Sequence, residues 1–428
     1  MLAFLREDAA GRNREFGREL RDLAQMLPVE AAEERDAAEG VEIVVAVDKR
    51  HGRDPHALGR LRTVPAWRFS VKRSPLDIAI PSRYRLRARP AGGFTTQRST
   101  EKQMATVETV KGPVQTSGLG ATLMHEHVFV LSTEIDQNYP EAFSDEERRE
   151  ADAVRRLNEL KAAGIDTLVD LTVVGLGRYI PRIQRVAAQT GLNIVVATGL
   201  YTYNDVPHFF HYRGPGTLMG GPEVMVDMFV KDITAGIAGT GVKAAILKCA
   251  TDEPGVTPGV ERVLRSVARA HRATGVPIST HTHVHTRRGL DQQRIFAEEG
   301  VDLGRVVIGH SGDSTDIAYL EELFANGSYI GMDRFGIDVL LPFEDRVNTV
   351  AKLCERGHAG KMVLSHDAAC VNDWLDDSSL AVMTPRWNYL HISRDVLPAL
   401  RQRGVSDAQI DLMLVQNPRA IFEKQGAY

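Results

Sequence analysis

Beyond residue 103 the chain alternates between short apolar, β-branched runs and longer amphipathic stretches. The runs are ATLMHEHV, TLVDLTVV, NIVVATGL, AAILKCA, VPISTHT, RVVIGHS, YIGMDR and KMVLSHD. Runs this short and apolar read as strands buried on both faces of a parallel sheet. Two of the stretches between them carry their own start and stop signals. DEERREADAVRRLNELKAAG places Leu157 and Leu160 on one face and ends at Gly164. TPGVERVLRSVARAHRATG has Pro258 in its first turn and Gly275 at its end. Eight strands alternating with helices predict βα units, and eight such units over about 250–330 residues close most naturally into a (β/α)8 TIM barrel. An open doubly wound sheet is the alternative, but no G-x-G-x-x-G turn follows the first strand. A last helical stretch, SDAQIDLMLVQNPRAIF, is expected to pack on the outside.

Charge divides the chain at the same place. Residues 1–103 hold 20 Lys or Arg against 15 Asp or Glu, and 17 of the basic residues are Arg; the remainder holds 32 against 41. The first segment has one amphipathic stretch near Phe4–Met26 and one strand-like run, VEIVVAV, but otherwise no sustained period. It is expected to be an N-terminal extension with little stable structure, or upstream sequence translated from a misplaced gene start. Residues 104–428 are expected to form the barrel. The net charge of −4 gives no reason to expect nucleic acid or an anionic membrane as a partner. No apolar run approaches the ~18 residues of a membrane span. Cys249, Cys354 and Cys370 make no disulfide framework, so a reducing cytoplasm is the expected location and packing is their expected role.

Candidate chemistry gathers at the strand ends. His125 and His127 stand two apart in TLMHEHVFV, so a strand would place both on one face, with Glu126 turned away and a poor ligand. An isolated H-x-H is as readily a structural pair. Lys248 ends the run Ala244–Leu247, where an ammonium loses much of its hydration. Alone it reads as a lysine paired with a carboxylate. Among histidines it can instead add carbon dioxide and become an anionic carbamate able to bridge two cations. His281 is the candidate from His281, His283 and His285; His310 ends the next run. Of the adjacent His366 and Asp367, Asp367 is the candidate for the interior. Four imidazoles, a carboxylate and a lysine at one barrel rim would hold two divalent ions, with Zn²⁺ the first choice and Co²⁺, Fe or Mn²⁺ alternatives. Such a centre acidifies water and polarises an acceptor oxygen.

This set resembles the amidohydrolase superfamily, and specifically the phosphotriesterase family. DLTVVGLGR, ATGLYTYND, KCATDEPG, GLDQQRIFAEEGVD, VVIGHSGD, GMDRFGID and LSHDAAC resemble its lactonase branch, over about residues 104–425. The resemblance implies that His125, His127 and Asp367 hold the more buried metal and that His281 and His310 hold the more exposed one. Carboxylated Lys248 and a hydroxide would bridge them. It further implies Tyr201, Arg334 and Trp374 in the substrate pocket, with Tyr201 beside the lactone carbonyl. Asp367 would carry the proton to the leaving oxygen. The expected activity is opening of N-acyl homoserine lactones and other γ- or δ-lactones by the bridging hydroxide, with organophosphate hydrolysis as a side activity. A homodimer is also implied. Three readings compete with it: a dedicated organophosphate hydrolase, an amide or ester hydrolase on the same scaffold, and a binding protein that has lost its centre.

Overall fold

The computed structural model describes residues 105–428, apart from 143, 144, 376 and 425. Expectations for residues 1–103, including the helical stretch near Phe4–Met26 and the VEIVVAV strand, lie outside the described residues.

All eight apolar runs form strands of one sheet: β1 (Thr122–Glu126), β2 (Thr167–Asp170), β3 (Asn193–Gly199), β4 (Ile246–Thr251), β5 (Ile278–Thr282), β6 (Val306–Ile308), β7 (Tyr329–Met332) and β8 (Met362–Leu364). They neighbour one another in chain order, and every pairing is parallel. Bonds just past the ladders join β8 back to β1. The Asp367 N–H donates to the His125 carbonyl at 3.1 Å, and the His127 N–H to the Ala368 carbonyl at 2.9 Å. The sheet is thereby rolled into the expected (β/α)8 barrel.

Local sequence explains the helices. The helix Glu146–Ala162 is capped by the Asp145 side chain, which accepts from the Arg148 N–H. Its Leu157 and Leu160 are fully buried, and Gly164 beyond it has φ +95°. In the helix Pro258–Thr274, Thr257 caps the start by accepting from the Val260 N–H, and Gly275 ends it in the left-handed region at φ +78°.

Strand alternation sorts the core into two layers. Leu123, Leu168, Ile194, Leu247 and Ile278 face the helices, whereas Met124, Val169, Val195, Ile246 and Val307 fill the barrel. One register shift bears on function. Leu123 pairs with Leu168 but Glu126 with Asp170, so β1 carries one extra residue. This bulge lets Met124 and His125 both face the interior, where strict alternation would separate them.

Most of the C-terminal stretch packs in the outer layer as expected, through Ile410, Met413 and Leu414, and only its end departs from that place. Ile421 and Phe422 pack with the barrel-interior residues and close the end opposite the ligand-bearing rim. Asn417 bonds the Ala359 and Met362 carbonyls at 2.8 and 2.7 Å. The tail supplies apolar surface that the short strands leave uncovered there. Its terminal Tyr428 is pinned as well. Its hydroxyl accepts from the Asp302 N–H at 2.7 Å and lies 2.6 Å from His271 Nε2. His271 Nδ1 faces the Val276 carbonyl at 2.6 Å, which places the ring proton on Nδ1 and leaves Nε2 to accept from the tyrosine. Tyr428→Phe is expected to cost about 1 kcal/mol, lowering the melting temperature by roughly 2–3 °C without changing activity. Thermal unfolding by circular dichroism checks this.

Cys249, Cys354 and Cys370 are free, buried and part of the core. Among the described residues no helix is long and apolar enough to cross a membrane.

Candidate functional site

Three strand ends, those of β1, β5 and β6, deliver the four imidazoles, and each ring has one nitrogen fixed by a neighbour behind it. His125 Nδ1 lies 2.8 Å from Asp333 Oδ2, and His310 Nδ1 lies 3.0 Å from Asp333 Oδ1. His127 Nδ1 lies 2.9 Å from the Thr172 hydroxyl, which donates onward to Asp170 at 2.5 Å. His281 is turned the other way, with Nε2 2.5 Å from Asp252 Oδ2. The carboxylates can only accept, so the network assigns the ring protons of His125 and His310 to Nδ1 and that of His281 to Nε2. The nitrogens facing the cavity are therefore bare lone pairs.

Those lone pairs converge. Asp367 Oδ1 lies 3.3 Å from both His125 Nε2 and His127 Nε2, and Asp367 Oδ2 lies 3.7 Å from His310 Nε2. His310 Nε2 and His281 Nδ1 face each other at 3.0 Å. Two lone pairs at that distance repel unless a cation lies against both. Burial favours the neutral rings: it drives His281 down to about 4 and His310 well below the usual imidazole range. For Asp367, burial pushes upward, but its contacts with His125, His310 and His127 and the Arg334 guanidinium outweigh it and hold the carboxyl well below its usual range. A set of neutral imidazoles and one carboxylate, each aimed inward by a partner behind it, fits a divalent transition metal. His125, His127 and Asp367 offer three donor atoms within 4.8 Å of one another.

Lys248 comes to the same place from β4. Ile246 and Lys248 point into the barrel and Leu247 and Cys249 outward, as alternation requires. Its Nζ is fully buried, 2.7 Å from His125 Nε2 and 3.4 Å from the Thr280 carbonyl. Burial lowers its ammonium to about 8, so the neutral amine is accessible near neutral pH.

Two of these residues have strained backbones. Only four non-glycine residues among those described have positive φ, and His310 (+59°) and Asp367 (+56°) are two of them. His310 lies two residues past the end of β6 and Asp367 three past the end of β8, where a left-handed residue turns the side chain back over the rim.

The remaining candidates line the same cavity, of about 280 Å³. The Tyr201 hydroxyl lies 3.3 Å from His281 Nδ1 and bonds Tyr203. Arg334 donates from Nε to Asp367 Oδ2 at 3.0 Å and from a terminal nitrogen to Asp313 at 3.1 Å. The Trp374 ring is half exposed, 6.2 Å from the Tyr201 ring. His283 and His285 lie past β5 in the loop, and His283 bonds Thr286. His366 faces away from the cavity toward Glu126. Five residues behind or beside the ligands escaped the sequence reading: Asp333, Thr172, Asp252, Asp313 and Tyr203. Asp333 and Asp252 had a signal, since each directly follows a strand, β7 and β4 respectively.

Comparison with known proteins identifies the family. The model of the phosphotriesterase family matches residues 105–422. A phosphotriesterase homology protein of Mycobacterium tuberculosis is 70% identical over 325 residues, 76% of this chain and all of that protein. An aryldialkylphosphatase of Saccharolobus solfataricus is 40% identical over 73% of this chain and 98% of its own length. The solved phosphotriesterase of M. tuberculosis superposes with a TM-score of 0.75 at 70% identity, covering 76% of this chain and all of the other. With its parallel barrel and convergent donor set, the chain belongs to the phosphotriesterase family and is a metal-dependent hydrolase.

Proposed function

We propose that the enzyme opens lactone rings, N-acyl homoserine lactones and other γ- or δ-lactones, and hydrolyses phosphotriesters as a weaker side activity. The observation that carries this reading is the placement of one phenol, Tyr201, at hydrogen-bond distance from His281 in a cavity whose outer wall is apolar. Leu176, Val339, Leu340, Leu375 and Met383 form much of that wall, a surface suited to an acyl chain.

His125, His127 and Asp367 would hold the inner of two divalent ions, His281 and His310 the outer, and Lys248 both. Zn²⁺ is the first choice, ahead of Co²⁺, Fe and Mn²⁺. When bound, the pair supplies Lewis acidity and an acidified water. Lys248 enters this role by adding carbon dioxide to its neutral amine and releasing a proton, which turns a buried cation into an anion. Burial keeps Tyr201 protonated, its hydroxyl held well above the usual phenol range, so it donates to the lactone carbonyl and to the oxyanion that grows there. Asp367, ionised and steadied by Arg334, takes the proton from water and returns it to the ring oxygen that leaves. Trp374 and the loop around it cover the acyl side of the substrate. The product is the open hydroxy acid.

A second reading, phosphotriesters as the principal substrate, draws on the Saccharolobus relative, an aryldialkylphosphatase. Amide hydrolysis draws on more distant relatives such as the N-acetyltaurine hydrolase of Salmo salar, at 25% identity. A panel of acyl homoserine lactones, δ-lactones, N-acetyltaurine and paraoxon, each assayed with and without chelator, separates these. The expected ranking puts lactones first by kcat/KM, with every activity lost to chelator. Paraoxon or N-acetyltaurine turned over faster than any lactone would overturn the proposal.

A further inference from the structure

Glu126 lies between the two histidines of the H-x-H pair, points away from the cavity and is fully buried. A carboxylate in such a place needs several donors to offset its lost hydration. It has three, all from one short segment of chain. Glu126 Oε1 accepts the His366 backbone N–H at 2.8 Å and faces His366 Nδ1 at 2.7 Å; Oε2 accepts the Ala368 N–H at 2.9 Å. His366 Nε2 itself accepts the Ile392 N–H at 2.9 Å, so the ring proton sits on Nδ1 and points at Glu126. The residue bracketed by these bonds is Asp367, the left-handed residue whose carboxylate faces His125 and His127. The turn is tied to β1 from its other side too, through the Asp367 N–H to His125 carbonyl bond and the His127 N–H to Ala368 carbonyl bond.

We infer that Glu126 is a positioning residue for the metal centre: its carboxylate clamps the 366–368 turn against β1 and so fixes Asp367 relative to His125 and His127. The side chain that alternation turns away from the site thereby sets the spacing of three groups within it. This inference rests on the proposed role of Asp367 as a ligand. Glutamine in place of Glu126 has nearly the same shape but presents an NH₂ to a neighbouring N–H, so at least one of the three bonds is replaced by a repulsive donor–donor contact. The turn is then free to relax out of its left-handed conformation.

The test measures Zn²⁺ affinity of the metal-free protein by competition with a chromophoric chelator, together with kcat and KM on a lactone. Four proteins are compared: wild type, Glu126→Gln, Asp367→Asn and Tyr428→Phe. Tyr428→Phe loosens the far end of the barrel and controls for lost stability. Glu126→Gln is expected to weaken Zn²⁺ binding by about 10- to 100-fold and to lower kcat with little change in KM; Tyr428→Phe should do neither. If Glu126→Gln yields no folded protein, Glu126→Asp, which retracts the carboxylate by one methylene, is judged by the same two criteria. Zn²⁺ affinity and kcat within about twofold of wild type, whatever the melting temperature, would overturn the inference. If Asp367→Asn loses Zn²⁺ while Glu126→Gln keeps it, only the clamp fails. If Asp367→Asn keeps it, the ligand role of Asp367 fails and the clamp falls with it.

Discussion

Lys248→Met is expected to abolish metal binding and hydrolysis together while leaving the metal-free protein folded and at least as stable as the wild type. The reasoning combines burial and charge. Lys248 is fully buried on a strand whose neighbours are apolar, and burial already drags its ammonium to about 8. Methionine fills much of the same volume without a charge to desolvate, so the metal-free fold loses little. The loaded site loses the group that would be shared by both ions. Metal content after dialysis against Zn²⁺, measured by elemental analysis, should fall by more than about 100-fold in affinity, beyond the 10- to 100-fold cost of removing a group behind the ligands. The wild type should also depend on carbon dioxide: the metal-free protein, reloaded with Zn²⁺, should recover activity faster with bicarbonate than in carbon dioxide-depleted buffer. Full metal content and activity in Lys248→Met would refute the bridging role.

Asp367→Asn should be nearly as severe. Asp367 stands at the meeting point of the site, 3.3 Å from two imidazole nitrogens and 3.0 Å from the Arg334 guanidinium. Asparagine keeps the size but presents at most one acceptor oxygen, and it cannot take a proton. Loss of proton transfer alone costs about 10²–10⁴-fold, and the weaker hold on metal adds to this. The expected signature is a collapse of kcat at saturating metal, with KM nearly unchanged. It is read by steady-state kinetics on a lactone across a Zn²⁺ series. Activity within tenfold of wild type at high Zn²⁺ would show that Asp367 is not the proton carrier.

Both variants were legible as targets from the sequence, because their signals are local. Lys248 stood out as a charge ending an apolar run, and Asp367 as a carboxylate ending another. Strand alternation is equally local, and it put His125 and His127 on one face and turned Glu126 away. The helix limits at Asp145, Gly164, Thr257 and Gly275 were readable for the same reason, since each cap acts within four residues of itself.

Alternation brought the two histidines of β1 to one face but gave no sign that the strand is irregular. The bulge in β1 turns His125 inward beside Met124, and only the pairing with β2 reveals it. The end of the C-terminal tail was misplaced because helical periodicity shows that a face is apolar and not which surface it covers. Ile421 and Phe422 found the open end of the barrel.

The sequence by itself therefore determined the order of βα units, the helix limits and the residue types that reach the rim, all consequences of spacing within a few residues. Tertiary structure alone decided the chemical state of those residues. Asp333 lies 208 positions from His125, yet it fixes which nitrogen of that ring carries the proton. Thr172, 45 positions from His127, and Asp252, 29 from His281, act on their rings in the same way. Glu126 is 240 positions from the turn it holds. A ring nitrogen offers its lone pair inward when an acceptor behind the ring holds the N–H proton on the other nitrogen. That partner is supplied by closure of the barrel, which no short-range pattern encodes.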